Sequence, residues 1–131
     1  MDVLRRLLGR LSVLYVLVFL TFALAHAGVA IGPIREPVIV PAVIVETLCA
    51  AALAVGAYGA LAGRAWAWDG LLYGHAAALG GVLLGIAATT LRGGGGDADA
   101  PSALLLTYHA TMAVVLTAGL VGAFYVSRAR T

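Results

Sequence analysis

Charged side chains, Glu46 apart, are confined to a few short stretches of this chain. Between them run four apolar segments, approximately Leu11 to Ile31, Val38 to Ala62, Leu71 to Leu91 and Ser102 to Ser127. A helix rises about 1.5 Å per residue and needs roughly 20 apolar residues to cross about 30 Å of hydrocarbon, so each segment is long enough to span a bilayer. The breaks are rich in residues that end helices: GPIREP, GRAWAWDG and RGGGGDADAP. Because they are short, consecutive helices are expected to be antiparallel neighbours. The predicted fold is an all-α integral membrane protein, one domain over residues 1–131, with four transmembrane helices in an up-and-down antiparallel bundle.

Composition strengthens that reading. The chain is 63% hydrophobic and 11% charged, whereas a soluble domain carries about 25% charged residues. All eight basic residues are arginine. The net charge of +2 is too small, and the arginines lie too near the helix ends, to suggest nucleic acid as a partner. With the N-terminus inside, Arg5, Arg6, Arg10, Arg64, Arg128 and Arg130 face the cytoplasm and only Arg35 and Arg92 face out. This bias predicts cytoplasmic N- and C-termini in a multi-pass protein of the cell membrane. Trp66, Trp68 and Tyr125 then fall at the inner interface, and Asp97 and Asp99 lie in the outer glycine loop. The arginines followed by an apolar run and ALAHA (residues 23–27) also fit a cleaved leader. The run continues through Val29 and Ile31, longer than a leader core, so a retained span is expected.

Lipid offers no hydrophobic drive between helices, so small residues must let backbones approach. The pairs Gly59/Gly63, Gly70/Gly74 and Gly81/Gly85 are therefore predicted helix contacts. Each span also carries one strongly polar side chain: His26, Glu46, His75 and His109. Counting the helical rise places His26, Glu46 and His109 in one layer roughly 8 to 12 Å below the outer boundary. His75, early in a span that runs outward, falls about 15 Å or more from that layer. It is predicted to form a separate inner site with Tyr15, which shares a stripe of the first span with Ser12, Phe19, Phe22 and His26. Tyr108, Thr89 and Cys49 are placed as neighbours that orient the outer residues or handle a proton.

A carboxylate at membrane depth must be paired, protonated, hydrated or coordinated. Two imidazoles and a carboxylate make a donor set for zinc or iron. Without metal, the same three residues suit a proton relay. A b-type haem held by His26 and His109 is a further option, with Arg35 or Arg92 near its propionates. The expected function is a metal or haem site near the outer face, redox or enzymatic in use. The alternatives are an accessory subunit of a larger membrane complex or a proton-coupled small-solute carrier acting as an oligomer, with the lipid bilayer as partner in every case. Cys49 is the only cysteine, which excludes an internal disulfide and a multi-cysteine metal site. The chain lacks phosphate-binding glycine loops, HExxH and serine-nucleophile motifs, and no motif is long enough to tie it to a known family.

Overall fold

The computed structural model describes residues 2–34, 36–92 and 102–128. Arg35, Asp97, Asp99 and Arg130, and the side chain of Arg92, lie outside the described residues. Within them the chain is helical: α1 (Asp2–His26), α2 (Val40–Leu61), α3 (Ala67–Arg92) and α4 (Ala103–Arg128). All four helices are long and apolar enough to cross a membrane.

The helix ends follow local chemistry that hydropathy does not register. Gly28 adopts φ 90°, and the chain reverses there with Gly28 N donating to Ala25 O and Val29 N to Leu24 O. These two bonds form a Schellman motif, which closes α1 at His26 although the apolar run continues to Ile31. His26 is thus the last residue of its helix rather than one buried a turn deeper. Gly63, at φ 66°, ends α2 in a similar way, with Arg64 N donating to Gly59 O. Pro41 lies in the first turn of α2, where its missing N–H has no helical partner to lose. Ser102 caps α4 by accepting from Leu105 N at 3.0 Å, and its hydroxyl donates to Glu36 at 2.9 Å, joining the α1–α2 connection to the start of α4.

Packing differs from seam to seam. Along α1 and α2, Gly9 lies against Ala60 and Leu61 near one end, while His26 meets Glu46 near the other. Along α2 and α3 the backbones nearly touch, with Gly56 beneath the Gly70 carbonyl and Gly74 beneath that of Ala52. The seam between α1 and α4 is filled by rings instead: Phe22 stacks on Tyr108 with centroids 3.7 Å apart, and Phe19 meets Tyr108 edge-on at 6.2 Å. Outward faces carry large apolar residues such as Leu17, Leu84 and Val114, whereas Ser12, His26, Glu46, His75 and His109 are buried. That distribution suits a hydrocarbon solvent, in which polar groups are the ones that gain from being inside.

Two of the expected glycine pairs divide their roles. Gly59 packs on Trp66, while Gly63 serves the turn after α2. Gly81 faces Cys49 and Val45 of α2, while Gly85 faces His109 of α4. Gly70 and Gly74 do both face α2.

Candidate functional site

The end of α1 and the second turn of α2 bring His26 and Glu46 together. Nδ1 of His26 lies 3.0 Å from Glu46 Oε2, and both side chains are buried. With the carboxylate accepting this hydrogen, Nε2 of His26 is left as the nitrogen free for another partner. Tyr108 borders the same cavity as Glu46. The carboxylate therefore has a hydrogen-bonding partner on another helix, which is what burying it in an apolar bundle requires.

His109 comes to the same place by another route. Its Nδ1 donates to the Leu105 carbonyl one turn back at 2.9 Å, which fixes the ring and leaves Nε2 as the free nitrogen. The ring sits over Gly85, where a Cβ would overlap Nε2. His26, Glu46, Tyr108, His109 and Thr89 all border one cavity of about 150 Å³. The rest of its wall is apolar, including Phe19, Val82 and Leu105. Those wall residues that are also exposed on the bundle surface are Pro41 of α2 and Leu84 and Ala88 of α3. The mouth of the cavity therefore lies between α2 and α3 and faces sideways.

His26, Glu46 and His109 thus share a cavity, but not as a set of three ligands. Among the described residues, no group of three or more His, Cys, Asp or Glu side chains is arranged to hold a metal ion. Glu46 is turned toward His26, the place of a carboxylate that orients a histidine. A haem does not fit the cavity as it stands, because about 150 Å³ is benzene-sized and below the roughly 300 Å³ at which pockets for larger ligands begin. Cys49 does not border this cavity. Its Sγ packs on Gly81 and lies 3.9 Å from the Ala78 carbonyl, in a separate shallow groove.

His75 and Tyr15 meet elsewhere, edge to face with ring centroids 6.1 Å apart. Nδ1 of His75 donates to the Leu71 carbonyl at 2.8 Å, and its Nε2 is buried with no hydrogen-bond partner among the described residues. The ring lies on Gly119 of α4, where a Cβ would come within 2.5 Å of Cδ2 and Nε2. This mirrors His109 on Gly85. Each histidine is pinned by the carbonyl four residues back, and each covers a glycine that stands ten residues after the other histidine. Sequence reasoning missed Gly85 and Gly119 as histidine partners. The available signal was the matched spacing Leu71, His75, Gly85 and Leu105, His109, Gly119.

The two contacts differ in room to yield, which gives a test. Gly119→Ala is expected to destabilise the fold by about 1 to 3 kcal/mol, because the buried His75 ring has nowhere to move. Gly85→Ala is expected to cost less, because His109 borders a cavity. Thermal unfolding in detergent measures both, and equal or reversed losses would contradict this account.

Comparison with known protein families, with characterised proteins and with solved structures finds no match.

Proposed function

We propose that this chain is a small multi-pass membrane protein whose outer half holds a binding pocket for a small, largely apolar molecule. In this reading the His26–Glu46 pair is the pocket's polar recognition and proton-handling element. The four helices form an antiparallel bundle with both termini cytoplasmic. Support for that arrangement comes from the short connections, from the opposite-end contacts of α1 and α2, and from the arginine bias. The observation that carries the functional reading is the buried pair, 3.0 Å apart, in the wall of an otherwise apolar cavity. An ionisable group at membrane depth marks function by default, and a side-opening cavity lets a lipid-soluble molecule reach it.

Nitrogen NMR of histidine-labelled protein in detergent tests this directly. Toluene, which matches the cavity in size, is expected to shift the His26 and His109 resonances and leave those of His75 in place. Glu46→Gln is expected to move the His26 Nδ1 signal and alter the toluene response. If saturating toluene moves neither His26 nor His109, the cavity is not a ligand site.

A metal ion at the same place is the second reading, favoured by one observation. Both His26 and His109 have Nδ1 engaged and Nε2 free, the arrangement of metal-bound imidazoles. Two nitrogens leave further positions to water or to the ligand. Elemental analysis of protein purified without chelator decides it: stoichiometric zinc or iron, lost in His109→Phe, is the expected result under this reading.

A further inference from the structure

The cavity beside His26 and Glu46 has a neighbour on the bundle surface. The shallow groove that holds Cys49 adjoins it between α2 and α3, and Val45, Gly81 and Leu84 line both spaces. The partition between them is low. Val45 lies on Gly81, where a Cβ would come within 3.1 Å of its Cγ1, so one side chain resting on bare backbone is all that divides cavity from groove. Leu84, exposed on the surface, borders the cavity mouth and the groove alike.

Depth and chemistry decide what the groove accepts. From the cavity it continues past Leu48 and Cys49 on α2 and past Gly80 and Ala77 on α3, toward the middle of both helices. At that depth a bilayer offers only hydrocarbon chains. Among the described residues its lining carries no charge and no hydroxyl, and the one thiol, Cys49, lies 3.9 Å from the Ala78 carbonyl. A polar group gains nothing there, whereas a hydrocarbon chain gains many small contacts. The groove has room for one: its volume is about 490 Å³, and a Cβ on Gly80 would meet nothing within 4 Å. A second helix, about 10 to 12 Å across with its side chains, is held off by Leu48 and Leu84, which stand exposed on the two helices that border the groove.

We propose that cavity and groove form one site for a single-chain lipid. Its compact head enters the cavity beside His26 and Glu46, and its unbranched hydrocarbon chain crosses Val45 and lies in the α2–α3 groove, ending near Ala77. The proposal rests on the pocket reading above and adds the ligand's chain and the path it takes. The head of a two-chain phospholipid does not fit, because a cavity of about 150 Å³ takes one benzene-sized body.

Toluene and octylbenzene test this, because they share the ring and differ in the chain. Each is titrated into the full chain in perdeuterated detergent and followed through the His26 and His109 nitrogen resonances. Amounts are counted as mole fraction of the detergent, since the mouth opens on the apolar phase. Octylbenzene is expected to half-saturate the site at a mole fraction about fivefold lower than toluene, as small chain contacts add up. Its terminal methyl protons are expected to show nuclear Overhauser contacts with the Ala77 methyl group and none with Val114, which is exposed on α4. Gly80→Leu places a side chain in the open groove, and is expected to bring octylbenzene to within about twofold of toluene while leaving toluene unchanged. Equal half-saturation of the wild-type protein by the two ligands overturns the proposal and leaves the pocket reading intact, as do methyl contacts shared evenly between Ala77 and Val114. A dimer that Gly80→Leu disrupts, with no chain contact at Ala77, assigns the groove to a second copy and also overturns the proposal. Toluene that moves neither histidine overturns the pocket reading itself. The wild-type measurements stand without the variant, so misfolding of Gly80→Leu does not rescue the proposal.

Discussion

Replacing Glu46 with leucine is expected to destabilise the protein by about 2 to 4 kcal/mol, and replacing His26 with phenylalanine in the same chain is expected to restore part of that loss. Leucine suits the apolar surroundings, but it leaves the buried Nδ1–H of His26 without the acceptor it now has at 3.0 Å. An orphaned buried donor costs about 1 to 3 kcal/mol, and the loss of the attraction between the paired groups adds to it. The double variant removes the orphan together with its partner, so it is expected to be more stable than Glu46→Leu alone. Glu46→Gln keeps an acceptor in place and is expected to cost about 1 kcal/mol. Reversible unfolding in mixed detergent measures all three. A double variant less stable than Glu46→Leu would mean that the pair does not join α1 to α2 by this hydrogen bond.

The second large effect concerns the α2–α3 seam. A Cβ on Gly56 would lie 2.6 Å from the Gly70 carbonyl oxygen, and one on Gly74 would lie 2.8 Å from that of Ala52. Both obstacles are helix backbone, which cannot rotate aside, so the helices must separate to admit even one methyl group. Gly56→Ala is expected to cost about 1 to 3 kcal/mol, and Gly56→Leu more, with separation of α2 from α3. Gly80 supplies the control, because a Cβ there meets nothing within 4 Å. Gly80→Ala is therefore expected to be neutral, or to stabilise α3 by up to about 1 kcal/mol through helix propensity. Comparable losses at Gly56 and Gly80 would show that glycine matters for flexibility rather than for close approach.

The four helices were legible from hydropathy because a bilayer imposes one requirement, a long apolar stretch, that local packing cannot override. The end of α1 was not legible in the same way. Gly28 and Val29 close the helix with backbone hydrogen bonds while the sequence stays apolar to Ile31, and a hydropathy scan registers only the apolarity. Depth counting was enough to group His26, Glu46 and His109, since rise along a helix is regular. It carried no information on which atoms face each other. That depends on helix rotation, and it is why Glu46 turns to His26 while His109 turns to its own Leu105 carbonyl. The glycine partners of the histidines were hidden for the same reason. Gly81 and Gly85 are one turn apart, yet one faces α2 and the other α4.

The matched histidines on α3 and α4 have a mechanical consequence. His75 rests on Gly119 and His109 rests on Gly85, so the same axial register seats both rings. Sliding α3 along α4 by one residue, about 1.5 Å, would carry both rings off their glycines together. The two contacts stand ten residues apart along each helix, about 15 Å, and act as a pair of detents on one shaft. A ligand that pushes the His109 ring off its seat must therefore either move that ring alone into the cavity or shift the helix and unseat the His75 ring as well.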